Sequence, residues 1–258
     1  MQVQIKKTIK AGNSSAVILP RAWLNKEVRI ELIKKQDNQI LQEVLQITAD
    51  YLPLNSIIGI YLVGSYARKE ESEDSDIDIL IITKDIDKET IQKGIYNILP
   101  ISYKLLHQKL QQDLFPIGQM LKEAKPLLNS DYLESIKIKV TKKNVKWYLD
   151  TTKEKLNLIE NYLTQNKNKK YLEDKITYTL ILRIRTLEII KKLIQNKPYS
   201  KKEFTKMLNK ISGNKNAYES YVSIKNKKKD KKQTTIKGAE KLYNYLKKDL
   251  QKVKKMIK

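Results

Sequence analysis

The chain has 258 residues, 40% hydrophobic and 31% charged, and carries a formal charge of +23; that is apolar enough for a packed core, in one large domain or two to three small ones. The absence of cysteine excludes structural disulfides, thiolate metal sites and a cysteine nucleophile, while the single histidine, His107, excludes a multi-histidine metal site and leaves little room for Ser-His-Asp chemistry. No apolar run approaches the roughly 20 residues that cross a bilayer, and the opening MQVQIKKTIK lacks the apolar stretch of a secretory signal, so a soluble, cytoplasmic protein is expected.

The charge is unevenly placed. Residues 1–140 hold 19 basic and 18 acidic side chains, whereas residues 141–258 hold 33 and 11. A basic C-terminal half suits an anionic partner such as RNA. A lysine-rich composition alone gives the same count, and the two readings weigh about evenly.

Residues 1–34 read as a small β-hairpin domain. Val3 and Ile5 alternate with polar neighbours, Ala11 to Ser15 is a turn signal, and Ala16 to Leu19 is a short strand closed by Pro20. Glu27 to Leu32 alternates again. So few strands cannot bury their own apolar face, so this segment needs a partner. Lys7, Gly12, Asn13, Ser14, Ser15, Leu19 and Pro20 together resemble the swapped-hairpin domain of the AbrB, MazE and SpoVT group. That resemblance implies a homodimer, with DNA binding through Lys6, Lys7, Lys10 and Arg21. Dimerisation without DNA is an equal alternative.

Residues 36–140 read as an α/β domain with a short mixed sheet. Ile40, Leu41, Val44, Leu45 and Ile47 have helical spacing, and Ser56 to Val63 is a continuous apolar strand ending at Gly64-Ser65. A second strand runs from Ile77 to Ile82. The pattern then predicts a helix over 88–98, a third strand over 100–106 and a helix over 115–128. Residues 141–258 read as an all-α bundle, giving an α+β chain in three parts. Its central helix is Tyr171 to Ile194, Ser200 with Glu203 forms a capping box, and residues 225–232 form a basic loop. Arg183 and Arg185 are expected in buried ion pairs with Glu173 or Glu188. Trp23 and Trp147 are expected in the core and His107 at the surface. Tyr218 and Tyr221, near the lysines of 225–232, are a weaker candidate for a nucleic-acid surface.

The chemistry concentrates in GSYARKEESEDSDIDIL, residues 64–80. Residues i and i+2 of a strand share a face, so Asp76 and Asp78 present two carboxylates together. Two carboxylates so placed repel unless a cation lies between them, and hard oxygen ligands suit Mg²⁺. Gly64 permits close approach of a phosphate, and Ser65 adds a hydroxyl where a helix should begin. Gly64-Ser65 after an apolar strand, ten intervening residues, then Asp76-Ile77-Asp78 resemble the DNA-polymerase-β-like nucleotidyltransferases, above all their minimal stand-alone members. The resemblance implies that Asp76 and Asp78 hold two Mg²⁺ ions, with Mn²⁺ able to replace them. Gly64, Ser65 and Arg68 would bind the triphosphate of an NTP, ATP by preference. An acceptor hydroxyl on RNA or protein would then attack the α-phosphorus. Active members carry a third carboxylate on a later strand, and the expected strand offers only Ser102 and Lys104. A catalytically weak, nucleotide-sensing DNA-binding regulator or antitoxin is therefore the alternative. The helical region invites comparison with HEPN proteins, partners of such enzymes, but it has no histidine for their ribonuclease motif.

Overall fold

The computed structural model describes residues 3–257 apart from 7, 32–34, 73–74, 214–215 and 226–233. Residues 1–36 and 37–258 form separate units. In the first, strands β1 (Ile9–Ala11) and β2 (Ser14–Ala16) pair antiparallel around the turn at Gly12. The second expected strand thus starts and ends early, and Pro20 opens a 3-10 turn at Arg21–Trp23 instead. The described part of the alternating stretch, residues 27–31, forms no strand. Val3, Ile5, Ile18, Leu24 and Ile30 are all more than two-thirds exposed, and none of the described residues of this unit is buried.

In the second unit, α1 (Asp37–Ala49) precedes β3 (Ile57–Val63), the four-residue α2 (Gly64–Ala67) and β4 (Ile77–Thr83). Then come β5 (Ile91–Lys93), β6 (Tyr96–Ser102), α3 (Tyr103–Gln112), α4 (Ile117–Glu123), β7 (Lys125–Leu128) and α5 (Ser130–Ser135). The sheet order is β5-β6-β4-β3-β7, with β4 and β6 parallel and the other neighbours antiparallel. Two expectations fail here. The helix over 88–98 is a β-hairpin: Gly94, at φ +58°, makes the turn, and Ile91, Tyr96 and Ile98 are buried with the period of a strand. The strand over 100–106 stops at Ser102, whose hydroxyl accepts from the Leu105 amide (3.1 Å) and caps α3. The end of the helix over 115–128 is β7, an edge strand, where the missing N–H of Pro126 costs the ladder little.

The bundle follows: α6 (Lys142–Gln165), α7 (Asp174–Ile194), α8 (Lys201–Ser212), α9 (Asn216–Lys225) and α10 (Ile236–Met256). Thr141, Ser200 and Thr235 cap α6, α8 and α10. Among the described residues no helix is long and apolar enough to cross a membrane.

Strand alternation sorts the core. Ile60, Leu62, Ile77, Ile79, Ile81 and Ile98 pack with Ile40 and Val44 of α1. Tyr61, Val63, Leu80 and Ile82 face the other way, into one apolar cluster with α3, α4 and the long helices. Asp76 and Asp78, in step with Leu80, therefore lie on the bundle side of the sheet.

Within the bundle, Lys191 bridges Glu188 (2.7 Å) and Asp249 (2.9 Å), with Asp249 only 5% exposed. Burial pulls the ammonium of Lys191 down, but hydrogen bonds to the two carboxylates outweigh it and raise it above its ordinary range. Asp249→Ala removes the link between α7 and α10 and leaves Lys191 with Glu188 alone. It should cost about 2 kcal/mol and lower the melting temperature by roughly 4–8 °C in thermal denaturation. An unchanged melting curve would show the pair to be dispensable.

Candidate active site

Strand β3 delivers the chain to Gly64, whose φ of +70° turns it sharply into α2. Val63 lies opposite Asp78 in the β3–β4 ladder, so the turn sits beside the carboxylates. The approach is close: a Cβ on Gly64 would lie 2.3 Å from Asp78 Oδ2. Tyr66 and Ala67 pack on the α1 side of the sheet, and the Ser72 amide donates to Ser75 Oγ (2.8 Å) shortly before β4. Gly64, Ser65, Asp76 and Asp78 are thus assembled by one strand end, one turn and the next strand start.

Asp76 is exposed and Asp78 half-buried. Burial pushes the Asp78 carboxyl above its ordinary range; the Asn97 hydrogen bond opposes this, Asp76 adds like-charge repulsion, and Arg68 and Lys225 oppose it again. The Asn97 amide donates to Asp76 Oδ2 and to Asp78 Oδ1, each at 3.3 Å. Asn97 sits on β6 in register with Asp78, so the position across from the carboxylates holds an amide and no acid. The strand expected over 100–106 offers Ser102 and Lys104 at this place and no acid. Ser102 instead caps α3 and binds Asp87 through both its amide and its hydroxyl, and Lys104 is exposed on that helix. Reading the Gly94 hairpin would have found Asn97, because pairing β6 with β4 sets it opposite Asp78.

Arg68 is placed differently from Gly64 and Ser65. Its side chain is 13% exposed and occupied by two carboxylates, with Nη1 on Glu123 Oε2 (2.6 Å) and Nε on Glu70 Oε2 (3.0 Å). Burial lowers the guanidinium, but Glu123 and Glu70 outweigh it and hold it above its usual range. The Gly64 amide donates to Glu123 Oε1 (2.9 Å). Neither acid stood out in the sequence, since Glu123 is 59 residues from Gly64 and shows no motif of its own.

Other candidates fall elsewhere. Lys6, Lys10 and Arg21 are exposed in the N-terminal unit, and Lys7 lies outside the described residues. Arg183 donates to Thr151 Oγ1 (2.9 Å) and lies over Trp147, which is 62% exposed and not in the core. Arg185 lies over the Tyr199 ring at 5.2 Å. The expected ion pairs are absent among the described residues, because Glu188 holds Lys191 and Glu173 holds Lys169. Tyr221 is buried and stacks on Tyr178 (5.1 Å, 17°), while Tyr218 meets Phe204 edge-on, so these rings serve the core and not an open surface. Of the basic loop, residues 226–232 lie outside the described residues. His107 is exposed on α3.

Comparison with curated proteins gave no match. Among solved structures, the chain is similar to spectinomycin adenyltransferase AAD(9) from Enterococcus faecialis, solved with ATP and spectinomycin, at 16% identity and a TM-score of 0.41, covering 81% of this chain and 99% of that one. It is also similar to a nucleotidyltransferase-like protein from Exiguobacterium sibiricum 255-15, at 12% identity and a TM-score of 0.37, covering 83% of this chain and 75% of that one. A family model described as the nucleotidyltransferase domain matches residues 41–232, a span that takes in the five-stranded sheet, Gly64, Ser65, Asp76 and Asp78, and the chain therefore belongs to the nucleotidyltransferase domain family.

Proposed function

We propose that the protein is a Mg²⁺-dependent nucleotidyltransferase that moves a nucleoside monophosphate from ATP to a hydroxyl of an RNA or protein acceptor. The observation that carries this reading is the placement of Asp76 and Asp78 beside the Gly64 turn, with Asp78 raised by burial and by Asp76. A pair of crowded carboxylates fits a divalent cation. Among the described residues no group of three or more His, Cys, Asp or Glu side chains gathers, which suits Mg²⁺ completed by water and substrate phosphate. Asp76 and Asp78 would hold the metal, which supplies charge neutralisation at the phosphates when bound. Asn97, donating to both carboxylates, keeps them aligned. Ser65, at the start of α2, offers its hydroxyl to the phosphates. The acceptor oxygen forms a bond to the α-phosphorus, the bond to pyrophosphate breaks, and the acceptor proton leaves to solvent.

In this reading residues 1–34 dimerise the protein, residues 36–140 bind the nucleotide, and the basic residues 141–258 recruit the acceptor. The exposed apolar side chains of the hairpin support a homodimer. One observation favours a second reading. With an amide at Asn97 where a third carboxylate could stand, the fold would suit a nucleotide-sensing regulator that binds DNA through Lys6, Lys7, Lys10 and Arg21.

Labelled ATP, Mg²⁺ and total cellular RNA plus protein extract would be incubated with the wild type and with an Asp76→Asn/Asp78→Asn double variant. Label passing to a macromolecule with wild type alone is the expected result, and it identifies the acceptor class. Mg²⁺-dependent ATP binding without transfer would favour the regulator. Neither binding nor transfer by the wild type would overturn the site.

A further inference from the structure

Two acids, Glu123 with a buried side chain and Glu70 half-buried, meet Arg68 beside the nucleotide loop, and neither has a part in the chemistry above. Glu123, with a side chain 4% exposed, sits at the end of α4. Its Oε1 accepts from the Gly64 amide (2.9 Å), and its Oε2 accepts from Arg68 Nη1 (2.6 Å) and Gln119 Nε2 (3.4 Å). Glu70 takes the other side of Arg68 and also reaches the bundle. Its Oε1 accepts from Ser200 Oγ (3.1 Å) and the Lys202 amide (3.3 Å), and its Oε2 accepts from the Lys201 amide (3.1 Å). Glu70 therefore supplies the anion that the N-terminus of α8 attracts. One unbroken polar chain runs from the Gly64 turn through Glu123, Arg68 and Glu70 into α8.

A phosphate-binding arginine needs an open face and unspent charge. Arg68 has little of either, because Glu70 holds its Nε, Glu123 holds its Nη1 and only 13% of the side chain reaches solvent. Resting on the function proposed above, we propose that Arg68 is a strut and Glu123 a positioning residue. Together they fix the Gly64 turn against α4, and through Glu70 against the helical bundle, so that the loop is held ready for nucleotide before it binds.

The alternative role for the same contacts is competitive: Glu123 would stand in for a phosphate and be displaced by one. The two roles differ in sign. A competitor carries negative charge beside a polyanion, so Glu123→Gln should tighten nucleotide binding. A positioning residue loses its grip on Arg68 in the same variant, so binding should weaken. The Gln side chain preserves volume and can still accept from the Gly64 amide.

The test is equilibrium binding of a fluorescent ATP analogue with Mg²⁺ to wild type, Glu123→Gln, Arg68→Lys and Arg68→Lys/Glu123→Gln, each checked for folding by circular dichroism. The expected result is about tenfold weaker binding for each single variant, with the double variant no worse than either, because one strut can be broken only once. Lysine should fail although it carries the charge, since a single ammonium lacks the rigid, planar pair of donors that Arg68 sets against Glu70 and Glu123. Tighter or unchanged binding in Glu123→Gln would overturn the proposal, as would wild-type binding in Arg68→Lys. Fully additive losses would also overturn it, since they would show two separate ligands. Nucleotide binding by the wild type with normal binding in the variants sinks the strut alone, whereas no binding by the wild type sinks it together with the function it rests on.

Discussion

Replacing Asp78 with Asn is expected to lower nucleotidyl transfer by about 10³-fold or more while making the metal-free protein more stable. The activity loss follows from charge. Asp76 and Asp78 offer two carboxylates with Asn97 in register with Asp78, so one neutralisation halves the charge that this pair offers a divalent cation. The stability gain follows from the direction of the Asp78 shift. Burial and Asp76 raise its carboxyl, so at neutral pH the ionised form is less at home in the folded chain than in the unfolded one. By that sign, the contribution of Asp78 to stability is full below the unfolded carboxylate range and is lost as pH rises through its raised value. Asn removes the charge and keeps the shape. The gain is read as a higher melting temperature by calorimetry in chelator at pH 7, and it should shrink as the pH is lowered into the carboxylate range. Saturating Mg²⁺ should narrow the gap, because only wild type binds it well. A lower melting temperature for Asp78→Asn, with wild-type transfer, would show that Asp78 is a structural residue.

The second large effect is expected from Gly64→Ala. At φ +70° an alanine costs about 1 kcal/mol in backbone strain alone. Its Cβ would also lie 2.3 Å from Asp78 Oδ2 and 3.1 Å from Asp78 Cβ, an overlap that only movement can relieve. What must move is the carboxylate that the site depends on, or the turn that Glu123 holds. A loss of about 2–3 kcal/mol in stability and at least about 10²-fold in transfer is expected, since misplacement of about 1 Å is enough for the latter. Gly94→Ala is the matched control. Its φ is +58°, but nothing lies within 4 Å of the added Cβ, so it should lose about 1 kcal/mol and keep full transfer per folded molecule. Equal losses of transfer in the two variants would remove the contact with Asp78 as the cause.

The two glycines also show where sequence reading succeeded and where it failed. Gly64 was legible because a continuous apolar strand runs into it and, after ten residues intervening from Ser65, an alternating strand with two acids follows. Gly94 was missed because Ile91-Gln92-Lys93 has too few residues to show a period, and the run up to it also fits a helix. That error displaced the third strand by several residues and hid Asn97. The ends of β7 and α3 were misread for a related reason. Pro126 is compatible with a strand only because β7 lies at the sheet edge, and edge position is a property of the assembled sheet.

By itself, the sequence determined the α+β class, the strand that ends at Gly64-Ser65, the shared face of Asp76 and Asp78, and the presence of long amphipathic helices. Each of these rests on periodicity or spacing within about 20 residues, and local chain geometry makes such patterns readable. Tertiary structure alone decided the partners. Arg68 faces Glu70 and Glu123, Ser200 reaches Glu70 across 130 residues, Lys191 finds Asp249 and not an acid of its own turn alone, and Arg185 lies against Tyr199. Nothing in the spacing of those residues selects one acid over another. The choice is made when burial strips water from a charged group and leaves it only the partners that packing has brought within reach.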